Sequence, residues 1–247
     1  MQLIACDLPA TLAARLARQG KAGWCLDAQM PPGWSAPPGG VAPAGPQLWL
    51  LGGPPPCPLA AGDLVVELGD ASPLPDHPQR IRIAWQDSPF GVEHGFLLAV
   101  GGEAGPVAQA GALLDALAPA AGGWLHAGDL AAPRLLADLA AMLGGGIGQL
   151  SGLMMAPLGQ APSGWWQGQQ DLLRALAERA GRYLDHESDR RPYCAAQPLP
   201  PLFMLTPPGA AETDSPACKL AQLLRWLGRQ SAGNVPSSGA RGTPPAS

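Results

Sequence analysis

Glu93 and His94 are adjacent polar side chains that could do acid–base chemistry, since a carboxylate beside an imidazole supplies an acid and a base near neutral pH. They lie in Asp87-Ser88-Pro89-Phe90-Gly91-Val92-Glu93-His94-Gly95, where Ser88 adds a hydroxyl. Neighbours in an extended strand point to opposite faces, so the pair need not act together. A solvated turn leading into a strand over Phe96–Val100 accounts for the same residues. The four histidines, His77, His94, His126 and His186, sit in no metal-ligand spacing, and no G-x-S-x-G elbow exists, which argues against a metal site and a hydrolase. Five cysteines (Cys6, Cys25, Cys57, Cys194, Cys218) are odd in number, widely spaced and form no C-x-x-C pair. They predict a reduced, cytoplasmic protein without structural zinc.

The elements that must position these residues follow from periodicity. Met1–Cys6 is a short apolar run. Leu8–Gly20 has helical spacing, with Asp7 where an N-cap belongs, Pro9 in the first turn and Gly20 as the stop. Gly23–Asp27 is a second short strand, and strand–helix–strand ending in an acid is the layout of a Rossmann opening. Gln29–Gly45 is dominated by proline and glycine and predicts a loop running partly as polyproline II. Trp34 within it is either a partner contact or a lid over an exposed sheet face. Strands are expected at Gln47–Gly52, Leu64–Leu68, Ile81–Trp85, Phe96–Val100 and Trp124–His126. The full apolar runs imply a sheet buried on both faces. Val107, Ala110, Leu113, Leu114 and Leu117 share one helical face.

Asp129 is expected to cap the next helix, with Pro133 in its first turn and Leu135, Leu136, Leu139, Met142 and Leu143 buried. Gly144–Gly148 predicts a break or joint in that helix. Trp165–Leu184 is amphipathic through Leu172, Leu173, Leu176, Ala180 and Leu184. Asp214 and Ser215 cap a last helix with Leu220, Leu223, Leu224 and Leu227 on one face. The fold class is therefore α/β: a Rossmann-like, mostly parallel sheet over residues 1–128, a reduced all-helical C-terminal extension over 129–230, and a disordered tail over 231–247.

Composition narrows the function classes. The formal charge of −4 gives no electrostatic reason to bind nucleic acid or an anionic membrane surface. No run of eighteen apolar residues is present, so no membrane span is expected. The start, MQLIACDLPATL, has no positive n-region and meets an acid at Asp7, which argues against a signal peptide. Gly (33) and Pro (30) make up a quarter of the chain, so long loops are expected; the Ala/Gly/Pro/Arg bias suggests a bacterial genome.

Three stretches taken together, Gly62-Asp63-Leu64-Val65-Val66-Glu67, Gly91–Gly102 (GVEHGFLLAVGG) and Leu117–Gly128 (LAPAAGGWLHAG), carry a resemblance. Their order is similar to the second half of the nucleotide-binding domain of 6-phosphogluconate dehydrogenase and its β-hydroxyacid (3-hydroxyisobutyrate-type) dehydrogenase relatives, over about Met1 to Leu158. The resemblance implies a Rossmann domain, NAD or NADP, hydride transfer on a phosphosugar acid or hydroxyacid, and a helical C-terminal half that forms a dimer. It also implies where the chemistry should sit, and there the chain departs. The family's G-x-G-x-x-G turn aligns with Asp7-Leu8-Pro9-Ala10-Thr11-Leu12, so its glycines are replaced by Asp7, Pro9 and Leu12. Asp27 remains as a candidate ribose-binding acid. Ser88 matches the serine of the substrate loop, whose glycines have become Pro89 and Phe90. The family's lysine falls on Ala137 and its asparagine on Ala141, and no lysine lies between Lys21 and Lys219. Arg134, the nearest cation, stays protonated and cannot serve as a base.

Two functions stay open from these residues. One is a non-catalytic relative that acts by binding a protein or small ligand, with no cofactor and with a partner, or a second copy, on the C-terminal helices. The other is an active NAD(P)-dependent oxidoreductase in which Glu93 or His94 replaces the lysine, with Ser88 and Arg134 completing the substrate pocket. No nucleic acid, membrane or metal enters either.

Overall fold

In β5 (Arg80–Trp85), Ile81 and Ile83 turn to one sheet face while Arg80 and Arg82 turn to the other, and that alternation shapes the molecule. The computed structural model describes residues 1–21, 23–26, 30–37, 45–69, 76–154, 165–199 and 204–233. The candidate Asp27 and the tail beyond 233 fall outside them. Along the chain come β1 (Gln2–Cys6), α1 (Ala10–Arg18), β2 (Trp24–Cys25), β3 (Gln47–Leu51), β4 (Leu64–Leu68) and β5. Next are α2 (Pro89–His94), β6 (Leu98–Gly102), α3 (Ala104–Gln109), α4 (Gly111–Leu117) and β7 (Trp124–Gly128). Then follow α5 (Ala132–Met154), α6 (Trp165–Arg182) running into a π turn at Tyr183–Glu187, and α7 (Pro216–Gly233).

The strands form one sheet in the order β2-β1-β3-β4-β5-β6-β7, parallel throughout except at β5–β6. The chain is thus α/β and Rossmann-like with a helical C-terminal part. One face is covered by α1, α3 and α4 through Leu12, Leu16, Val107, Leu113 and Leu114. On the other face α5 packs over β5, β6 and β7 and α7 over β7, with α6 against both helices, through Leu135, Leu139, Leu176, Tyr183 and Ala217. A separate cluster, Ile4, Trp49, Leu51 and Val65, fills the β1–β3–β4 side of that face. Between the two clusters run charged side chains, Glu67, Arg80 and Arg82, so β5 is not the full apolar run expected of it. Among the described residues no helix is long and apolar enough to cross a membrane.

Several local expectations change. Asp7 does not cap α1: Pro9 is the N-cap and Asp7 sits in the left-handed region at φ 53°. The proline-rich loop returns at Ser35 to bridge Trp24 in parallel, Cys25 N donating to Ser35 O at 2.9 Å. Trp34 is buried in the α1 core with Leu12 and Leu16, which makes it a lid and not a partner contact. The turn ahead of β6 is a one-and-a-half-turn helix, α2, capped by Ser88 Oγ, which accepts from Phe90 N at 3.1 Å; β6 therefore begins at Leu98. The Val107–Leu117 stripe is fully internal, but it breaks at Ala110 into α3 and α4. α5 runs unbroken through Gly144–Gly148, because helical hydrogen bonding tolerates glycines at a modest propensity cost. Leu143 is on its exposed side.

One contact was invisible in the sequence. Arg15, on α1, is buried and donates to Glu93 O at 3.0 Å, Ala116 O at 3.0 Å and Ala118 O at 3.0 Å. A cation at the carbonyl ends of α2 and α4 ties three helices of this face together.

Candidate functional site

A cleft of about 880 Å³ opens where β6 and β7 end, against the first half of β5. Because β6 and β7 run against β5, their C-terminal ends meet Arg80 and Arg82 and not the loop after β5. Its walls come from the start of α3 (Glu103, Ala104), the start of α5 (Asp129, Ala131), the segment after α6 (Ser188–Cys194) and the start of α7 (Ser215, Cys218). Gly128, at φ 140°, lets β7 end there, since a Cβ would collide with Ser215.

Asp129 and Tyr183 hold one wall. Asp129 Oδ1 accepts from Ala131 N at 2.9 Å and Ala132 N at 3.0 Å, which makes it the expected cap of α5. Its Oδ2 accepts from Tyr183 Oη at 3.2 Å and Asp189 N at 3.1 Å. Burial pushes the Asp129 carboxyl above the usual carboxylate range, against the pull of the Asp189 amide. Burial, followed by the neighbouring Asp129 charge, raises the Tyr183 phenol well above its ordinary value, so it stays a donor. Cys218 Sγ lies 3.4 Å from Ser188 Oγ and 3.8 Å from Tyr183 Oη.

His126, on β7, is nearly fully buried. Its Nδ1 accepts from Ala196 N at 3.1 Å, so Nε2 carries the proton and donates to Gly102 O at 2.9 Å. Tyr193 donates to His126 O at 2.7 Å, and burial raises its phenol as well. With both ring nitrogens engaged, His126 pins β6 and the 193–196 segment to β7. Desolvation lowers its pKa below 6.5. The folded state therefore resists protonation: its full contribution stands above 6.5 and is lost as pH falls through the lowered value. Urea midpoints measured from about pH 8 down to about pH 5 should fall, and His126→Gln should remove part of that slope; an unchanged slope in the variant would assign it elsewhere.

The sheet floor of the cleft is ionic. Glu67 on β4 is buried and opposite Arg82 on β5; Arg82 Nε and Nη2 reach its Oε2 at 2.8 and 2.7 Å, and Arg80 Nε stands 3.6 Å from its Oε1. At the mouth, Arg191 pairs with Glu103 at 3.0 Å and Asp189 at 3.6 Å. Below, Arg179 clamps Asp138 at 2.6 Å and Glu187 at 3.0 Å.

The residues singled out from the sequence are not brought together here. Ser88 caps α2, and Glu93 and His94 end that helix on the exposed surface, at the closed end of the β5–β6 pair. Glu93 pairs with Arg18 at 3.3 Å, and His94 Nε2 is 3.9 Å from it. Arg134 sits in the first turn of α5, on its exposed side, and Ala137 and Ala141 follow on exposed positions of the same helix. None of these lines the cleft. The groups that do, Arg80, Arg82, Asp129, Tyr193 and Cys218, were missed as a set. Their available signal was the Arg-Ile-Arg-Ile alternation of β5 opposite an acid, Glu67, in an otherwise apolar strand. Among the described residues no three His, Cys, Asp or Glu side chains are grouped to hold a metal.

Four strands separate β1, and the turn between it and α1, from β7. There Asp7 packs onto the end of β3: a Cβ on Gly52 would strike the Asp7 carbonyl, and one on Gly53 would strike Asp7 Oδ2. Gly52 N also donates to Cys6 O at 2.9 Å, which closes the gap between the two strand ends. Leu12 is fully buried beneath it. A dinucleotide pyrophosphate needs free N–H groups, small residues and a positive helix end at such a crossover. A carboxylate, Pro9 at the cap and Leu12 do not fit that group.

No family model matches the chain, and no curated protein matches it. Structures with a similar course include 3-hydroxyisobutyrate dehydrogenase of Mycobacterium tuberculosis, determined with L-serine: 12% identity, TM-score 0.42, covering 95% of this chain and 94% of that one. A putative oxidoreductase from Mycobacterium avium has 12% identity and TM-score 0.39, covering 74% of this chain and 89% of that one. The 3-hydroxyisobutyrate dehydrogenase of Salmonella typhimurium has 12% identity and TM-score 0.38, covering 94% of each chain.

Proposed function

We propose that this chain is a non-catalytic protein of the 6-phosphogluconate dehydrogenase-like kind, acting by binding a protein or small ligand and not by hydride transfer. The observation that carries this is Asp7 at the β1–β3 crossover, its carboxylate seated against Gly53 where phosphate would have to lie. A fixed carboxylate there repels a diphosphate, and the proline cap gives that helix end one amide fewer. The exposed α5 positions Ala137 and Ala141 supply no acid, base or amide either. The same reading puts the protein in the cytoplasm with a protein partner, or a second copy, on the C-terminal helices, where Trp226 is part-exposed.

The expected result is no saturable change in nicotinamide fluorescence when NADH or NADPH is titrated with micromolar protein, and no turnover of phosphosugar acids or 2- and 3-hydroxyacids with either oxidised cofactor. Hydride transfer that is lost in His94→Ala would overturn the proposal and restore His94 as a base.

A further inference from the structure

We propose that the cleft between β5, α3, α5 and α7 binds a small organic oxyanion, a carboxylate or a phosphate, through the guanidinium of Arg82. This goes beyond the closed nucleotide turn and does not depend on it. Arg82 stands on the cleft floor on a central strand, and Glu67 takes its Nε and Nη2 edge, which fixes the plane of the group. Among the described residues nothing takes its Nη1. A guanidinium held by one carboxylate and open on another edge to a cavity is arranged for oxyanion recognition. Arg80 lies two residues away on the same face, and Arg191 lines the facing side at the mouth.

The carboxylates around the cleft are answered by their own donors. Arg191 pairs with Glu103 and Asp189 where water screens all three, Arg179 is shared between Glu187 and Asp138, and Asp129 accepts four hydrogen bonds. Asp76 at the rim is fully exposed, where water screens it. Two long helices begin at the cleft: the Asp129 carboxylate already caps α5, whereas α7, capped by the neutral Ser215 hydroxyl, adds the positive end of its dipole. The volume falls in the range of small-molecule pockets. Replacing such an ionic group by apolar residues is often neutral or stabilising, so the stability of the fold does not require it, whereas a ligand does.

The test follows thermal unfolding of the full chain with inorganic phosphate, and separately with succinate, against sodium chloride at equal ionic strength. Arg82→Gln would take from Glu67 the nearer of its two guanidinium partners, so the blocking variant is Ala104→Glu, which places a carboxylate at the cleft wall in the first turn of α3 without touching the core. Phosphate or succinate should raise the midpoint of the unmodified protein above the chloride control, and the shift should vanish in Ala104→Glu. Whichever anion acts identifies the oxyanion class. No shift over chloride with either anion would overturn the proposal, as would an equal shift in the variant. Independently of any variant, amide resonances of Gly102, Gly128 and Ala131 should move on phosphate addition; changes confined elsewhere would overturn it too. NADPH binding that phosphate competes away and Ala104→Glu abolishes would belong to this cleft and support it, leaving the β1–α1 turn out of account.

Discussion

Arg15→Met is expected to lower the free energy of unfolding by about 3–5 kcal/mol, read from urea unfolding with an unchanged m value. The substitution keeps much of the aliphatic volume and removes every donor. It leaves the carbonyls of Ala116, Ala118 and Glu93 without the guanidinium that all three share. Two of those carbonyl contacts are buried, so water cannot replace the donor cheaply. The charge also sits at the negative ends of α2 and α4, where a neutral side chain forfeits the dipole interaction. Arg15→Lys should recover only part of the loss, because one ammonium cannot span three acceptors held by a planar fork. A loss below about 1 kcal/mol for Arg15→Met would mean that the three helices are held by the apolar contacts of Leu12, Leu16 and Leu114 alone.

Glu67→Gln should cost a comparable amount, about 3–5 kcal/mol, because it leaves Arg82 charged on the sheet face without its carboxylate. The informative comparison is the triple replacement Glu67→Leu, Arg80→Leu, Arg82→Leu. Removing the whole ionic group lets the β1–β3–β4 cluster meet the α5 cluster across β4 and β5, and its expected effect ranges from neutral to a gain of about 1–4 kcal/mol. Chemical denaturation of the two variants side by side decides the matter. A triple variant as unstable as Glu67→Gln would show that the ion group is needed for folding and not retained for the cleft.

Much of the scaffold was legible because it is written in short-range periodicity. β1, β3, β4, β7, α6 and α7 fall within a residue or two of their apolar runs, and Asp129 and Ser215 cap α5 and α7 as small polar residues before helices do. Ser88 also had the right chemistry for a cap, but a six-residue helix carries too little pattern to announce itself. The loss of glycines at Asp7, Pro9 and Leu12 was equally plain, since it depends only on residue type. Sequence could not say that Asp7 would leave the cap to Pro9 and press on Gly52 and Gly53, because those contacts join residues 45 and 46 apart through the pairing of β1 with β3.

What the chain alone determined was an α/β sheet with C-terminal helices and a cofactor turn of the wrong chemistry. Only the tertiary structure decided where a ligand could go. The reversal of β6 against β5 carries Gly102 and Gly128 to the Arg80–Arg82 end and leaves Ser88, Glu93 and His94 at the other end of the same pair. Local sequence sets strand propensity and facing, whereas direction and neighbour are settled by which apolar faces must be buried together. For that reason the acid–base pair suggested by adjacency ended on the surface, and the arginines spaced like any half-buried strand came to floor the cleft.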